Sequence, residues 1–109
     1  MELAEKAVRL KIYLGESDRV DGRPAYQAVV GLMRERGLWG ATVTRGIYGY
    51  GKRSRLHTAS ALRLSEDLPL IIEVVEAEDK VAPLVAELSS MVRGGLITIE
   101  DVRVLRHLG

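Results

Sequence analysis

A chain of 109 residues has the size of one domain, able to bury about two-thirds of its unfolded surface, so residues 1–109 are expected to fold as a single unit. Sixteen Lys and Arg against fifteen Asp and Glu leave a formal charge of +1, which is too small for a protein that coats nucleic acid, and none is expected as a partner. Cysteine is absent, so disulfides and thiolate metal sites are excluded; only His57 and His107 offer imidazole, and no metal site is expected. No apolar run approaches the ~20 residues that cross a bilayer, and the first residues, which include Glu2 and Glu5, do not have the profile of a secretory signal. A cytoplasmic location is expected.

In chain order, Val8, Leu10, Ile12 and Leu14 alternate with Arg9, Lys11 and Tyr13, which predicts a strand with one face in the core, ended by Gly15. A polar loop follows from 16 to 22. Pro24 stands where a first helical turn accepts proline, and Ala25, Ala28, Val29, Leu32 and Met33 share one face at helical spacing. Gly37 then provides a left-handed cap. The β-branched stretch 41–48 predicts a second strand, and 68–75 a third, with Pro69 tolerable near its start. Val81, Leu84, Val85, Leu88, Met91 and Val92 repeat the helical stripe, with Pro83 near the first turn and Gly94 at the end. Residues 96–105 predict the last strand.

The order βαββαβ defines the ferredoxin-like class of α+β fold: a four-stranded antiparallel sheet with both helices on one face. Such a sheet has a second face with nothing on it. The third strand is nevertheless apolar on both sides, with Leu68, Leu70, Ile72 and Val74 on one and Ile71, Val75 and Ala77 on the other. Packing of sheet against sheet in a homo-oligomer is the simplest way to cover it.

Between Arg36 and Ser65 there is no Asp or Glu, and the middle of that window is rich in Gly, Tyr, Lys and Arg. Lys52, Arg53 and Arg55 therefore share a local positive potential that suits an anionic ligand or a partner surface, although a solvated loop has the same composition. Gly46, Gly49 and Gly51 either let a strand bend or let backbone amides approach a ligand. Glu16, Ser17 and Asp18 read as turn formers, with Glu16 available to an arginine of a neighbouring subunit. There is no Cys nucleophile, and no His paired with an orienting acid or pair of carboxylates in a cleft-forming motif argues for catalysis.

The string Gly40-Ala41-Thr42-Val43-Thr44-Arg45-Gly46-Ile47-Tyr48-Gly49-Tyr50-Gly51 carries a resemblance, together with Ile12-Tyr13-Leu14-Gly15-Glu16, Leu64-Ser65-Glu66-Asp67-Leu68-Pro69 and Gly94-Gly95-Leu96-Ile97-Thr98-Ile99-Glu100-Asp101-Val102. It resembles the uncharacterised PII-like family DUF190 over nearly the whole chain. More distantly it is similar to the PII nitrogen-signalling proteins, whose second strand reads G-x-T-V-x-x-V-x-G-F-G; Gly40, Thr42, Val43, Gly49, Tyr50 and Gly51 match that pattern.

The resemblance implies a homotrimer that senses a small anionic effector, of which an adenine nucleotide is the family example, in clefts between subunits. It also implies a long mobile loop, residues 51–67, that docks on a partner through Ser54, Arg55, Leu56, His57 and Thr58, and a membrane-transport protein as a target of the kind found beside relatives. The phosphate turn of PII proteins, T-G-x-x-G-D-G-K, is here Met91-Val92-Arg93-Gly94-Gly95-Leu96, without its Asp and Lys. Arg93 stands in as the phosphate donor, and Gly94 and Gly95 still permit close backbone approach. The expected ligand set is thus Thr42, Gly49, Gly51, Lys52, Arg53, Arg93, Gly94, Gly95, Arg103 and Arg106. Two other readings share the topology. An RNA-binding domain is suggested by Arg45-Gly46-Ile47-Tyr48-Gly49-Tyr50, whose aromatic motif belongs, however, on the third strand. An ACT-type small-molecule module differs only in its loop motifs.

Overall fold

The computed structural model describes residues 5–50 and 68–106. Strand β1 (Glu5–Gly15) leads to a two-residue hairpin, β2 (Arg19–Val20) and β3 (Arg23–Pro24), then to helix α1 (Ala25–Glu35), strand β4 (Thr42–Arg45), strand β5 (Pro69–Glu76), helix α2 (Glu78–Met91) and strand β6 (Leu96–Val104). The main sheet has the order β4-β5-β1-β6 and every pairing in it is antiparallel. This is the ferredoxin-like α+β fold, with the hairpin added between β1 and α1.

Alternation along β1 and β5 decides the two faces. Leu10, Ile12 and Leu14 lie opposite Val74, Ile72 and Leu70, and all six are buried with Val29, Leu32 and Met33 of α1 and Val81, Leu84 and Leu88 of α2. Each buried aliphatic side chain of this kind contributes about 1.5–3 kcal/mol of transfer free energy, which makes the sheet–helix layer the main source of stability.

The other face is less apolar than the third strand alone implies. Arg9 Nη1 lies 3.1 Å from the Glu100 carboxylate and Arg9 Nε 3.6 Å from that of Glu73, so an ion-pair ladder crosses β6, β1 and β5. Register places Glu73 between Ile71 and Val75 on that face, and Lys11 beside Arg9. Half-exposed pairs like these contribute at most about 1 kcal/mol each, and they divide the apolar surface into two patches, with Tyr13, Ile71 and Leu96 at one end and Val75 at the other.

Local chemistry explains the element ends. In α1, Gly37 has φ +72°; its N–H bonds to Arg34 O and that of Leu38 to Met33 O, the two bonds of a Schellman cap. Pro24 precedes the first helical residue, and the N–H of Ala25 bonds to Asp18 O at 2.7 Å. In α2 the expectation for Pro83 is corrected: the helix starts at Glu78, so Pro83 lies inside it, where it removes one i→i−4 bond. Gly94 is not a left-handed cap either, since its φ is not positive and α2 closes through Val92 N–H to Leu88 O. The second strand spans four residues rather than the eight of 41–48. Its last bond runs from Gly46 N–H to Pro69 O, and Pro69 has no N–H to extend the ladder.

The hairpin begins inside the span 16–22 read as a polar loop and ends at Pro24, which was expected in the first helical turn and instead ends β3 just before the helix. Asp21 at φ 50° and Gly22 at φ 79° form the positive-φ pair that two-residue hairpin turns require, and Asp-Gly is the strongest short signal for it. Among the described residues, no helix is long and apolar enough to cross a membrane.

Candidate functional site

Register puts one end of each main strand in the same place. Gly15 lies opposite Pro69, Arg45 opposite Leu70 and Tyr13 opposite Leu96, so the turns next to these residues converge at one edge of the sheet. There a cleft of about 1060 Å³ opens between the β2–β3 hairpin and the segment from Ser90 to Leu96. Tyr13, Leu14 and Gly15 form part of its lining, and Pro69 and Tyr50 close another side.

Each wall has a physical reason to stand where it does. Asp18 is fixed three times: its Oδ2 accepts the Gly15 N–H at 3.0 Å, its own N–H bonds to Gly15 O at 3.2 Å, and its carbonyl accepts from Ala25. Opposite, the turn after α2 presses onto β1. A Cβ on Gly95 would lie 2.1 Å from Tyr13 O and 2.6 Å from Val92 Cγ1, so only glycine fits. Tyr48 and Tyr50 are largely exposed at the base of the segment that follows β4.

Arg93, Gly94 and Gly95, expected from the sequence, line this cleft together. Gly49 lies beside it, packed near Pro69, with Tyr50 next in the chain lining the cleft itself. Thr42 stands elsewhere, in a shallow hollow of about 320 Å³ with Trp39, Gly40, Glu73, Val75 and Val104. Arg103 pairs with Lys6 at the other end of β6, ~23 Å along the strand from Leu96 at the usual rise per residue, and Arg106 follows it. Within one chain, neither arginine reaches the cleft. Gly51, Lys52 and Arg53, with the partner segment Ser54, Arg55, Leu56, His57 and Thr58, lie outside the described residues.

Glu16 does not wait for a second subunit, because it pairs with Arg45 of its own chain. That contact ties the end of β1 to the end of β4, both next to the cleft. Sequence reasoning passed over Arg19, which lines the cleft from the hairpin, together with Asp21. The Asp21-Gly22 dipeptide was the available signal, since a hairpin there carries its flanking residues back over the end of β1.

The RNA-binding reading finds no support on the open sheet face. Glu73 and Glu100 stand there beside Arg9 and Lys11, and Tyr13 is the only ring that the described strands place on it. Stacking on bases needs aromatic platforms without neighbouring carboxylates. Among the described residues, no group of three His, Cys, Asp or Glu is arranged to hold a metal ion.

Solved structures share this architecture. CPII of Thiomonas intermedia, a nitrogen regulatory PII-like protein solved with ADP, AMP and bicarbonate, superposes with a TM-score of 0.66 at 17% identity, over 96% of this chain and 99% of the other. A PII-like signalling protein of Thermus thermophilus gives 0.65 at 14% identity, over 93% and 91%. The fold is therefore that of PII-like proteins. In sequence, a UPF0166 protein of Methanocaldococcus jannaschii is 38% identical over 102 residues, 93% of this chain and 94% of that one, and a UPF0166 protein of Aquifex aeolicus is 36% identical over 96 residues, 88% and 90%. The family model DUF190, described as "Uncharacterized ACR", matches residues 7–104, and the chain belongs to that family.

Proposed function

We propose that the protein is a PII-like regulator rather than an enzyme, that it binds a small anionic effector at the cleft beside Arg93, and that an adenine nucleotide is the first effector to test. The observation that carries this reading is the convergence of Arg93, Gly94 and Gly95 with Tyr50 in one large cleft at the edge of the sheet. A guanidinium beside glycine backbone suits phosphate or carboxylate, and an exposed ring suits a base. CPII, a protein of the same fold, has been solved with ADP, AMP and bicarbonate, which supports the choice of ligand class.

The cleft is open at one side, and the residues of the last strand, Arg103 and Arg106, lie at the far end of the same chain. In a homotrimer built through the open sheet faces, a neighbouring copy brings them near. The segment 51–67 then carries the state of the cleft to a partner protein in the cytoplasm, with a membrane transporter as the class that the family resemblance implies.

Two measurements test this. Arg93→Ala should weaken ADP binding, read by calorimetry, by about 1.5–3 kcal/mol, the range for hydrogen bonds to charged groups, without changing assembly. Unchanged affinity in that variant would move the site elsewhere. For the assembly, light scattering should give three times the chain mass of 12.0 kDa, and Val75→Asp should dissociate the protein, because it buries a third carboxylate in the interface beside Glu73 and Glu100, which already share Arg9. A monomer of the wild-type protein at micromolar concentration would remove the trimer.

A further inference from the structure

The β2–β3 hairpin contributes Arg19 to the same cleft that Arg93 lines, and the two arginines come from segments about seventy residues apart by sequence number. Arg9, Arg36 and Arg45 all have carboxylate partners, whereas neither Arg19 nor Arg93 has an ion pair among the described residues. Both also leave a rigid backbone. Arg19 follows Asp18, which three hydrogen bonds fix, and Arg93 sits between the α2 cap at Val92 and the wedged Gly95. Asp18 and Asp21 line the same cleft, but among the described residues neither forms an ion pair with Arg19 or Arg93, so both guanidinium groups stay available to an anion. Pre-organisation of this kind lowers the ordering cost of binding.

We infer that Arg19 and Arg93 form a two-guanidinium clamp for the phosphate end of the effector, with the hairpin as the second jaw of the cleft. The inference rests on the proposed reading of the cleft as the effector site and adds the group that reads phosphate in place of the missing lysine. Guanidinium forks from different directions can share the oxygens of one phosphate group, which a single lysine cannot do. Asp21, also in the lining, offers an acceptor to a hydroxyl. The ligand class is therefore a phosphorylated small molecule that also carries hydroxyl groups, such as a nucleoside phosphate.

Calorimetric titration of the full chain with ADP and with adenosine separates the clamp from the rest of the site. Arg19→Ala should weaken ADP roughly 10- to 100-fold and leave adenosine unchanged, because only ADP carries the phosphate. Arg19→Lys should recover part of the loss but not all. The double variant Arg19→Ala, Arg93→Ala should depart from the product of the single losses, since both groups act on one phosphate. A melting temperature equal to that of the wild type would show that the exposed Arg19 serves binding and not folding. Unchanged ADP affinity in Arg19→Ala, or equal losses for ADP and adenosine, would overturn the clamp while leaving the nucleotide reading in place. A wild-type protein that binds neither compound would overturn both.

Discussion

Gly95→Ala is expected to destabilise the protein by about 3 kcal/mol or more, because overpacking against backbone that cannot move exceeds the usual cost of about 1–3 kcal/mol for an added methyl in a tight site. The added Cβ would meet Tyr13 O at 2.1 Å and Val92 Cγ1 at 2.6 Å. A side chain could turn away, but the Tyr13 carbonyl belongs to β1, which pairs on both sides with β5 and β6. The turn must therefore move instead, and Arg93 with it. Loss of ADP affinity should accompany the loss of stability. Gly40→Ala supplies the control: a Cβ there meets nothing within 4 Å and the backbone has no positive φ, so its urea midpoint should match the wild type. A Gly95→Ala protein as stable as the wild type would show that the turn adjusts freely, and the account of a rigid wall would fail.

The contrast between these two glycines also shows how the sequence is legible and where it stops being so. Gly94 and Gly95 stood out as a pair that lets backbone approach a ligand, and they do line the cleft. Gly95 is required, however, by a neighbouring strand about eighty residues earlier in the chain, and no local pattern contains that fact. Gly46 is similar: a Cβ there would lie 2.8 Å from Pro69 Cγ, so the glycine answers to Pro69 packing across from it.

What could be read was whatever depends on near neighbours in the chain. Alternation in β1, the apolar stripes of α1 and α2 and the Gly37 cap all follow from short-range periodicity and placed the ferredoxin-like order correctly. The hairpin at 19–24 escaped because two-residue strands are too short to show a period, and its polar residues read as loop. Arg19 was lost with it. Pairing across the sheet was out of reach for the same reason: the third strand was read as apolar on its outer side, yet Glu73 sits in its middle, compensated by Arg9 from a strand more than sixty residues away. Arg103 and Arg106 were expected at a site between subunits; within one chain the antiparallel pairing of β6 with β1 carries them to the end of the sheet away from the cleft.

Glu76 is the strongest case of a residue whose role the sequence conceals, and its replacement by alanine is expected to cost about 2–4 kcal/mol. It ends β5 on the core side and is fully buried at 0% exposure, where alternation predicts an apolar residue. Its carboxylate accepts from backbone at both oxygens: Oε2 takes the Trp39 N–H at 2.7 Å and Oε1 the Ala77 N–H at 3.0 Å. Ala77 is the N-cap residue of α2 and Trp39 follows the α1 cap, so one side chain joins the beginning of the second helix to the connection that leads into β4. A carboxylate there also lies at the positive end of the α2 dipole. Removing it leaves a void and two donors to find other partners, each worth about 1–3 kcal/mol where water does not reach. Glu76→Gln should cost less, about 1–2 kcal/mol, because it fills the same volume and loses one acceptor and the charge. Urea unfolding of both variants gives the magnitudes, and amide exchange at Trp39 and Ala77 should accelerate in Glu76→Ala. If alanine cost no more than about 0.5 kcal/mol, the usual range for a surface substitution, the link between α2 and the β4 connection would have to lie in the Arg36–Glu87 pair instead.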